Sequence, residues 1–254
     1  MIIEKITCPC GCSFDWENDE SIFSNLLRPK FCDPCQEIED KRNAKEHAAK
    51  LAEEAAEKLR QTKQRVIERL DAATPARYRE TDIADESFNL ELWQRVAKWI
   101  PTSKAPWLGL IGTSGACKSR CAYLALRELV LASIESRRKP MTFATMTSYQ
   151  FSEAVRNQYS KREAGGYCTG EIARDAIDRM ATADVVLFDD LGKAKNTPAV
   201  SAELFAVIDR RHAENLPMIW TANSTPDEIV VGMGDDMAGP LSGRLVELSQ
   251  IITI

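Results

Sequence analysis

The sequence predicts an α/β fold with a parallel five-stranded sheet, preceded by a small cysteine-rich module and a connecting helix. Three observations predict it. After Pro75, short apolar segments alternate with helix-like segments, the pattern of a parallel sheet with crossover helices. Residues 38–74 contain no Gly or Pro and are rich in strong helix formers. Five of the eight cysteines lie in the first 35 residues. We therefore expect a module over 1–37, a charged linker helix over 38–74 and an α/β core over 75–254.

The composition limits the classes of protein that the chain can belong to. Hydrophobic residues make up 44% and charged residues 28% of its 254 residues, which is ordinary for a protein with a real core. The formal net charge of −5 excludes a global positive field, so any contact with nucleic acid needs a local basic patch. No apolar run approaches the roughly 18 residues of a membrane span, and the start lacks the layout of a secretory signal. We expect a cytoplasmic protein with no membrane partner.

The clustered cysteines predict a zinc site. They read CPCGC, then a spacer, then CDPC, which places five thiols in two groups: Cys8, Cys10, Cys12, Cys32 and Cys35. Disulfides are unusual in a reducing compartment, whereas four thiolates suit tetrahedral Zn²⁺. Cys32 and Cys35 supply one pair, and any two of the upstream three can complete the set. We take Cys8 and Cys10 as the upstream ligands, with Cys12 as a possible substitute. The alternative is a set of unligated thiols on a flexible arm.

The linker helix carries only a narrow apolar stripe. Small and apolar residues recur at spacings of four and three along it: Ala48, Ala52, Ala55, Leu59, Thr62 and Val66. Such a stripe can form a modest coiled-coil seam but no core. The segment is either a solvated connecting helix or a helix that binds a partner.

Five segments of the core read as strands. They are WLGLIG (107–112), MTFAT (141–145), ADVVLFDD (183–190), PMIWTAN (217–223) and SQIITI (249–254). The third is apolar without alternation, as expected of a strand covered on both faces. Helix-like segments follow the first strand (117–136) and the second (148–159). The order predicts right-handed crossovers between parallel strands.

The loop GTSGACKS after the first strand resembles a phosphate-binding loop. The pattern Gly, four residues, Gly-Lys, Ser/Thr is met except that Cys117 stands where the second glycine is expected. Successive main-chain N–H groups and the helix N-terminus would face phosphates, Lys118 would add a positive charge and Ser119 would bind Mg²⁺. Gly115 is free to adopt a positive φ. We expect helical dihedral angles at Cys117, so that its side chain only crowds the site. The predicted nucleotide-binding residues are Gly112, Thr113, Ser114, Gly115, Ala116, Cys117, Lys118, Ser119 and Arg120.

Polar residues at three later positions complete the predicted site. VVLFDD places Asp189 and Asp190 at the carboxyl end of a strand, where ligands of α/β sheets bind. Asp189 would hold Mg²⁺, and Asp190 would orient and deprotonate the attacking water. Asn223 ends the next strand, where its amide can hold that water, and Arg244 can neutralise charge that develops in phosphoryl transfer. The predicted catalytic residues are Lys118, Asp190, Asn223 and Arg244. The alternatives are a solvated Asp-Asp turn, a strand-end cap at Asn223 and a surface ion pair at Arg244.

With GTSGACKS, ADVVLFDDLG, IDRRHAENLPMIWTANST and SGRLVELSQIITI, the chain resembles a P-loop NTPase of the AAA+ class. More narrowly, it resembles the bacterial and phage replicative-helicase loaders of the DnaC/DnaI type over residues 75–254. The resemblance implies an AAA+ core without a C-terminal lid, Asn223 as sensor 1 and Arg244 as an arginine finger acting in trans between self-associated cores. It also implies that Arg210 and Arg211 lie on the helix before sensor 1. Cys117 and Asp190, in place of the usual glycine and glutamate, depart from the family pattern.

The resemblance implies an ATP-dependent loader that uses ATP, Mg²⁺ and Zn²⁺. Its N-terminal region would bind the ring helicase, and its core would help to place that helicase on single-stranded DNA. A transposase helper ATPase of the IstB type and a non-hydrolysing nucleotide-binding adaptor remain alternatives. Basic and aromatic residues interleave at a candidate DNA groove: Tyr149, Phe151, Arg156, Tyr159, Lys161 and Arg162. An ordinary helix face followed by a loop is the alternative there.

Overall fold

The computed structural model describes residues 2–18, 29–101, 104–137, 140–159 and 169–254. The chain forms two compact units, residues 1–62 and 63–254. Helix α1, Asp33–Ala73, contains the boundary between them. None of the helices in the described part of the chain is long and apolar enough to cross a membrane.

The first unit begins with a β-hairpin that the sequence analysis did not predict. Strands β1 (Ile2–Thr7) and β2 (Ser13–Asn18) pair antiparallel, with Thr7 opposite Ser13 at the turn. In that turn the N–H of Cys8 donates to the carbonyl of Cys12 (2.8 Å), and the N–H of Gly11 donates to the carbonyl of Cys8 (2.9 Å). Gly11 has a φ of 90°, a conformation that favours glycine. The hairpin therefore folds the CPCGC sequence into a tight loop.

Helix α1 starts five residues before the predicted linker helix, so Cys35 lies in its first turn. The predicted stripe is exposed to solvent at Ala48, Ala52, Ala55 and Leu59. Towards the end of the helix, Val66 and Leu70 are buried in the core of the second unit. The last turns of α1 therefore belong to the second unit.

The second unit contains the predicted parallel five-stranded sheet, which confirms the α/β fold class. Its strands are β3 (Trp107–Ile111), β4 (Phe143–Thr147), β5 (Val185–Asp189), β6 (Met218–Ala222) and β7 (Ser249–Thr253). Their order across the sheet is β4-β5-β6-β3-β7, and all neighbours are parallel. The sheet therefore brings the carboxyl ends of β3, β5 and β6 side by side.

Strand β4 begins two residues later than the sequence analysis predicted. The N–H of Met141 donates to Ser133 Oγ (2.9 Å) and that of Thr142 donates to Asp184 Oδ2 (2.7 Å). These side-chain acceptors occupy both N–H groups, and regular strand pairing starts at Phe143. The predicted boundary over 141–145 was wrong for this reason.

Eight helices follow α1 in the described residues: α2 (Ala76–Arg79), α3 (Leu90–Val96), α4 (Lys118–Arg137), α5 (Ser148–Asn157), α6 (Thr169–Thr182), α7 (Pro198–Ala213), α8 (Pro226–Ile229) and α9 (Asp235–Leu248). Side-chain caps fix several starts. Thr147 forms a capping box with Gln150 at α5, and Thr197 accepts the N–H of Val200 at α7. The Thr147 cap helps to fix where the chain leaves β4, and the Thr197 cap helps to fix where α7 begins.

Apolar side chains pack on both faces of the sheet. One cluster includes Phe151, Phe188 and Trp220, and the other includes Leu70, Leu126 and Ile219. All residues of β3 and β6 and all of β5 are buried, as the unbroken apolar run of β5 predicted. The sheet is therefore a rigid support for the side chains at its carboxyl ends.

Arg210 and Arg211 lie on α7, the helix before β6, as the resemblance implied. Arg211 is fully buried, and its guanidinium donates to the carbonyls of Met180 (3.1 Å), Ala183 (2.9 Å) and Pro217. Burial lowers the pKa of Arg211 to about 10. Arg211 therefore ties α6 and α7 to the start of β6.

Candidate nucleotide-binding site and cysteine cluster

The predicted phosphate loop joins β3 to α4 at the carboxyl edge of the sheet. The N–H of Gly112 donates to the carbonyl of Ala222 (3.2 Å), which ties the start of the loop to the end of β6. A Cβ on Gly112 would lie 3.0 Å from the carbonyl oxygen of Ile254, so a larger residue needs that backbone to move. Gly115 has a φ of 88°, which confirms the predicted left-handed position in the loop.

Cys117 has a left-handed backbone, so the prediction of helical dihedral angles there was wrong. Its φ is 63°, and helix α4 begins only at Lys118. A non-glycine residue in this region costs roughly 1–2 kcal/mol, because its Cβ approaches the carbonyl oxygen. The Cys117 Sγ lies 3.3 Å from the carbonyl oxygen of Ser87, to which the thiol donates. The loop pattern therefore has a second glycine because that position needs a positive φ. This chain keeps the positive φ with a cysteine there.

Lys118 lies at the wall of the site with its ammonium group satisfied by neutral oxygens. The side chain is 5% exposed. Its Nζ donates to the carbonyls of Gly112 (2.8 Å) and Thr113 (2.7 Å) and to Asn223 Oδ1 (2.9 Å). Burial lowers the pKa of Lys118, and the nearby carboxylates of Asp190 and Asp189 oppose that shift. The contact also brings two predicted catalytic residues, Lys118 and Asn223, together.

Ser119 and Asp189 form the second hydrogen-bonded pair of the site. Ser119 Oγ donates to Asp189 Oδ1 (2.7 Å), and Thr221 Oγ1 donates to the same oxygen (2.7 Å). Asp189 is 4% exposed, at the carboxyl end of β5. A hydroxyl and a carboxylate are oxygen ligands of the kind that Mg²⁺ prefers, so the pair fits the predicted magnesium site.

Asp190 has a second left-handed backbone, with a φ of 56°. Its N–H donates to Thr221 Oγ1 (2.9 Å), and its carbonyl accepts from Ser148 Oγ (2.7 Å). Its carboxylate accepts from Lys193 Nζ at 2.8 Å, a contact that the sequence analysis did not anticipate. Three separate contacts therefore hold the residue in a conformation that few non-glycine residues adopt.

A cavity of about 590 Å³ adjoins these groups. That volume is within the range of small-molecule sites, about 300–1,000 Å³. Thirteen of the described residues line it: Arg77, Tyr78, Ser87, Ser114, Gly115, Ala116, Cys117, Lys118, Ser119, Arg120, Asp190, Lys193 and Asn223. Of the three non-glycine residues with positive φ in the described chain, two, Cys117 and Asp190, line this cavity. Backbone strain concentrates at functional sites, which marks the cavity as the candidate site.

Four lining residues were missed by the sequence analysis: Arg77, Tyr78, Ser87 and Lys193. The Arg77 guanidinium lies 4.5 Å from the Tyr78 ring centroid, and Tyr78 stacks on Tyr123 at 5.5 Å. Ser87 accepts from Arg120 through its hydroxyl (3.2 Å). Their sequence carries no motif, so only the folded chain brings them to the phosphate loop. They add an aromatic and cationic wall to the cavity.

Arg244 does not line the cavity. It lies on α9, pairs with Asp209 on α7, and its guanidinium carbon is 4.8 Å from the ring centroid of Phe205. The side chain is 20% exposed, and Nη1 is buried without a hydrogen-bond partner among the described residues. In this conformation Arg244 forms the ion pair that was the alternative to a finger.

The candidate DNA groove is contradicted at one position. Phe151 is 1% exposed and contacts Phe188 edge-on at 5.3 Å between ring centroids, so it is a core residue and cannot stack on a base. It lies on the inward face of α5, one turn from the buried Val155. Tyr149, Arg156 and Tyr159 are exposed, whereas Lys161 and Arg162 lie outside the described residues.

Four cysteines converge in the first unit. The Sγ atoms of Cys8, Cys10, Cys32 and Cys35 all lie within 4.8 Å of one another, and those of Cys10 and Cys32 are 3.7 Å apart. A tetrahedral site with Zn–S distances of about 2.3 Å has sulfur–sulfur edges of about 3.8 Å. The cluster fits a zinc module and contains the four ligands chosen from the sequence, without Cys12. A hydrogen bond from the Cys12 main chain, with smaller contributions from the thiols of Cys8 and Cys35, lowers the pKa of Cys10 to about 6.

No protein-family model and no curated protein matches this sequence. The solved structures that are similar to it include those of DnaI, DnaC and DnaA. A crystal structure of DnaI is 20% identical, with a TM-score of 0.47, over 74% of this chain and 93% of that one. The DnaC helicase loader is 14% identical, with a TM-score of 0.45, over 73% and 98%. AMPPCP-bound DnaA from Aquifex aeolicus is 14% identical, with a TM-score of 0.47, over 69% of this chain and 49% of that one.

The chain spans about half the length of that DnaA chain. Two of these three proteins, DnaI and DnaC, are of the type that the sequence motifs resemble. The fold assignment itself rests on the parallel sheet and on the loop at its carboxyl edge.

Proposed function

We propose that the second unit binds ATP with Mg²⁺ in the 590 Å³ cavity and hydrolyses it. One observation carries the proposal. A loop with left-handed residues at Gly115 and Cys117 leads into α4, and the first helical residue, Lys118, places its ammonium at the same sheet edge as the Ser119–Asp189 pair. This arrangement offers main-chain N–H groups, a cation and a magnesium ligand pair together.

Each residue at the sheet edge has a definite task in this proposal. Lys118 exchanges its neutral oxygen partners for phosphate oxygens, and Ser119 and Asp189 hold the metal ion. Bound Mg²⁺ supplies positive charge against the charge that develops in phosphoryl transfer. Asp190 orients the attacking water and accepts its proton once its carboxylate leaves Lys193. Asn223 is released by Lys118 and donates its amide to the same water.

Arg77 and Tyr78 are suited to the base of the nucleotide. The Tyr78 ring stacks on Tyr123 and carries the Arg77 guanidinium, which makes an aromatic and cationic surface within the cavity. Aromatic faces with an adjacent guanidinium bind nucleobases by stacking. The side chains therefore extend the site beyond the phosphates.

Titration calorimetry with Mg-ATP tests the binding step. We expect Lys118→Ala to abolish measurable binding, because the cavity loses its buried cation. Lys195→Ala removes an exposed lysine that does not line the cavity, so this variant should bind as the wild type does. Equal affinities in all three proteins would contradict the site. Phosphate release then separates the ATPase from the non-hydrolysing adaptor, since an adaptor binds ATP without turnover.

We further propose that the protein is a loader of a ring-shaped replicative helicase and works in the cytoplasm. The motif resemblance supports the loader function, and the separate cysteine cluster offers a Zn²⁺-dependent docking module. A transposase helper is the competing function. Capture of a purified hexameric helicase, but not of a transposase, by the zinc-loaded full chain would support the loader. Capture of the transposase alone would contradict it.

Self-association through the ATPase core is the remaining part of the proposal. Arg244 does not line its own cavity, which supports a role at the phosphates of a neighbouring subunit. To reach a neighbour, the guanidinium has to leave Asp209 and Phe205. The proposed hydrolysis should therefore be slow in the isolated protein and stimulated by assembly on single-stranded DNA or on the helicase.

A further inference from the structure

The free edge of strand β4 carries unpaired main-chain groups. Among the described residues, β4 ends the sheet and pairs only with β5, in a parallel register that sets Phe143 opposite Val185 and Thr145 opposite Leu187. The N–H of Val185 donates to the carbonyl of Thr142 (3.1 Å), so by the alternation of a parallel ladder Phe143 and Thr145 direct their main-chain groups outwards. No described residue forms a hydrogen bond with these outward groups. The next outward N–H, of Thr147, is taken by Gln150 Oε1 (2.9 Å).

This edge lacks the features that usually protect one. Natural edge strands carry Lys, Pro or bulges that prevent another strand from pairing. The sequence of β4, FATMT, contains none of these, and no charge. At the opposite edge, Arg95 Nη1 donates to the carbonyl of Thr253 (3.2 Å) and so occupies an outward group of β7. A side chain therefore occupies an outward main-chain group at the β7 edge, whereas Phe143 and Thr145 of the β4 edge have no such partner among the described residues.

A slot of about 500 Å³ runs along the β4 edge. The end of α1 forms one wall with Ala72 and Ala73, and α6 forms the other with Ala176. Thr145 Oγ1 donates to the carbonyl of Ala73 (3.3 Å), which ties the α1 wall to the strand. The alanines leave room for a main chain at the strand spacing of about 4.8 Å. The walls restrict access to one extended segment.

The described residues that line the slot carry only positive charge. They include Arg69 from α1 and Arg179 from α6, both exposed, and no acidic side chain. The Arg69 guanidinium carbon lies 5.4 Å from the ring centroid of Phe143, which holds it beside the strand. Arginine binds carboxylates through two parallel hydrogen bonds, so acidic side chains complement both walls.

We propose that the β4 edge binds an extended, acidic peptide segment of another protein, which adds to the sheet as a sixth strand. Its main chain pairs with Phe143 and Thr145, its alternate side chains face the two alanine walls, and its carboxylates contact Arg69 and Arg179. A nucleic acid strand fits less well, since its backbone offers acceptors but no regular donors for the two open carbonyls. The site is independent of the proposed nucleotide site, whose lining shares no residue with the slot.

Fluorescence anisotropy with a labelled peptide EVTVTE tests the proposal on the full chain. The peptide should bind, whereas KVTVTK should bind at least about tenfold more weakly, a difference of about 1.4 kcal/mol. Arg69→Glu should weaken EVTVTE by about tenfold or more. Arg65→Glu is the matched control, because Arg65 is an exposed α1 residue outside the slot and should change nothing.

Thr145→Pro tests the strand pairing directly. Proline is tolerated where an edge N–H faces outwards, and it removes that N–H. The variant should keep its affinity for Mg-ATP and lose the peptide. As a readout that needs no variant, hydrogen exchange at the Phe143 and Thr145 amides should slow when EVTVTE is added.

Several outcomes would overturn the proposal. They are no anisotropy change with EVTVTE, peptide binding that survives Thr145→Pro, or unchanged exchange at both amides. Single-stranded oligothymidylate that binds in place of the peptide and is weakened by Arg69→Glu would identify the slot as a nucleic acid surface, contrary to the proposal.

Discussion

Glycine at position 117 should make the protein more stable than alanine does, because it removes the strain of a left-handed non-glycine residue. The comparison that isolates this effect is Cys117→Gly against Cys117→Ala, since both lose the thiol and its contact with the Ser87 carbonyl. Alanine keeps the Cβ at a φ of 63°, which costs roughly 1–2 kcal/mol relative to glycine. Glycine loses about 0.4–1 kcal/mol more conformational entropy on folding. The midpoints of the two ranges differ by about 0.8 kcal/mol, and the glycine variant should be more stable than the alanine variant by about that amount.

Thermal unfolding of the nucleotide-free protein measures this difference. For a unit of this size, 1 kcal/mol shifts Tm by about 2–4 °C, so Cys117→Gly should melt about 1–4 °C above Cys117→Ala. Asn215→Gly is a control at the third left-handed position, where φ is 52°. Asparagine tolerates this region, so its gain should be smaller. An alanine variant as stable as the glycine variant would refute the strain argument, and with it the explanation of the loop pattern.

Three further predictions concern the cysteines and Arg244. Elemental analysis should find one Zn²⁺ per chain, retained in Cys12→Ser and lost in Cys10→Ser; retention in both variants would contradict the four-thiol site. Burial raises the pKa of the Cys121 thiol from 9.0 to about 12, so the unfolded thiol ionises first and the free energy of unfolding should fall as pH rises between those values. Cys121→Ala should flatten that fall in chemical unfolding, and an unchanged slope would contradict it. Arg244→Ala should bind Mg-ATP normally but hydrolyse it poorly, and mixing it with Lys118→Ala should recover part of the activity. Mixtures as inactive as the two variants would exclude a finger acting in trans.

The sheet could be predicted from the sequence because its signals are local. Each strand is a short apolar run between segments of helical period, and burial of both faces of β5 follows from the absence of alternation in VVLF. The start of β4 could not be predicted in this way. It depends on Ser133 and Asp184, two side chains that reach Met141 and Thr142 only after folding. Local patterns therefore predict that a strand exists better than where it begins.

The residues of the site likewise fall into those that local patterns predict and those that only the folded chain brings together. Lys118, Ser119 and Asp189 come together because the motif spacing places them at the ends of β3 and β5, which meet at one edge of the sheet. Tyr78 and Lys193 have no such spacing, and they reach the cavity through tertiary packing alone. The prediction that Phe151 contacts DNA was wrong for a related reason. It was based on aromatic residues interleaved with basic ones, whereas the helical period of α5 places the Phe151 ring in the core.

The departure of Cys117 from the loop pattern was misjudged because a sequence shows a residue and not its dihedral angle. The loop keeps a left-handed conformation at Cys117 although a cysteine disfavours it. Contacts with other residues must therefore hold the backbone in place. The structure supplies such contacts. The Cys117 thiol donates to the Ser87 carbonyl, the Cys117 carbonyl accepts from the N–H of Cys121 (3.0 Å), and Lys118 is fastened to the carbonyls of Gly112 and Thr113. Because these contacts act on both sides of the residue, the loop can lose its second glycine and keep the main-chain geometry on which phosphate binding depends.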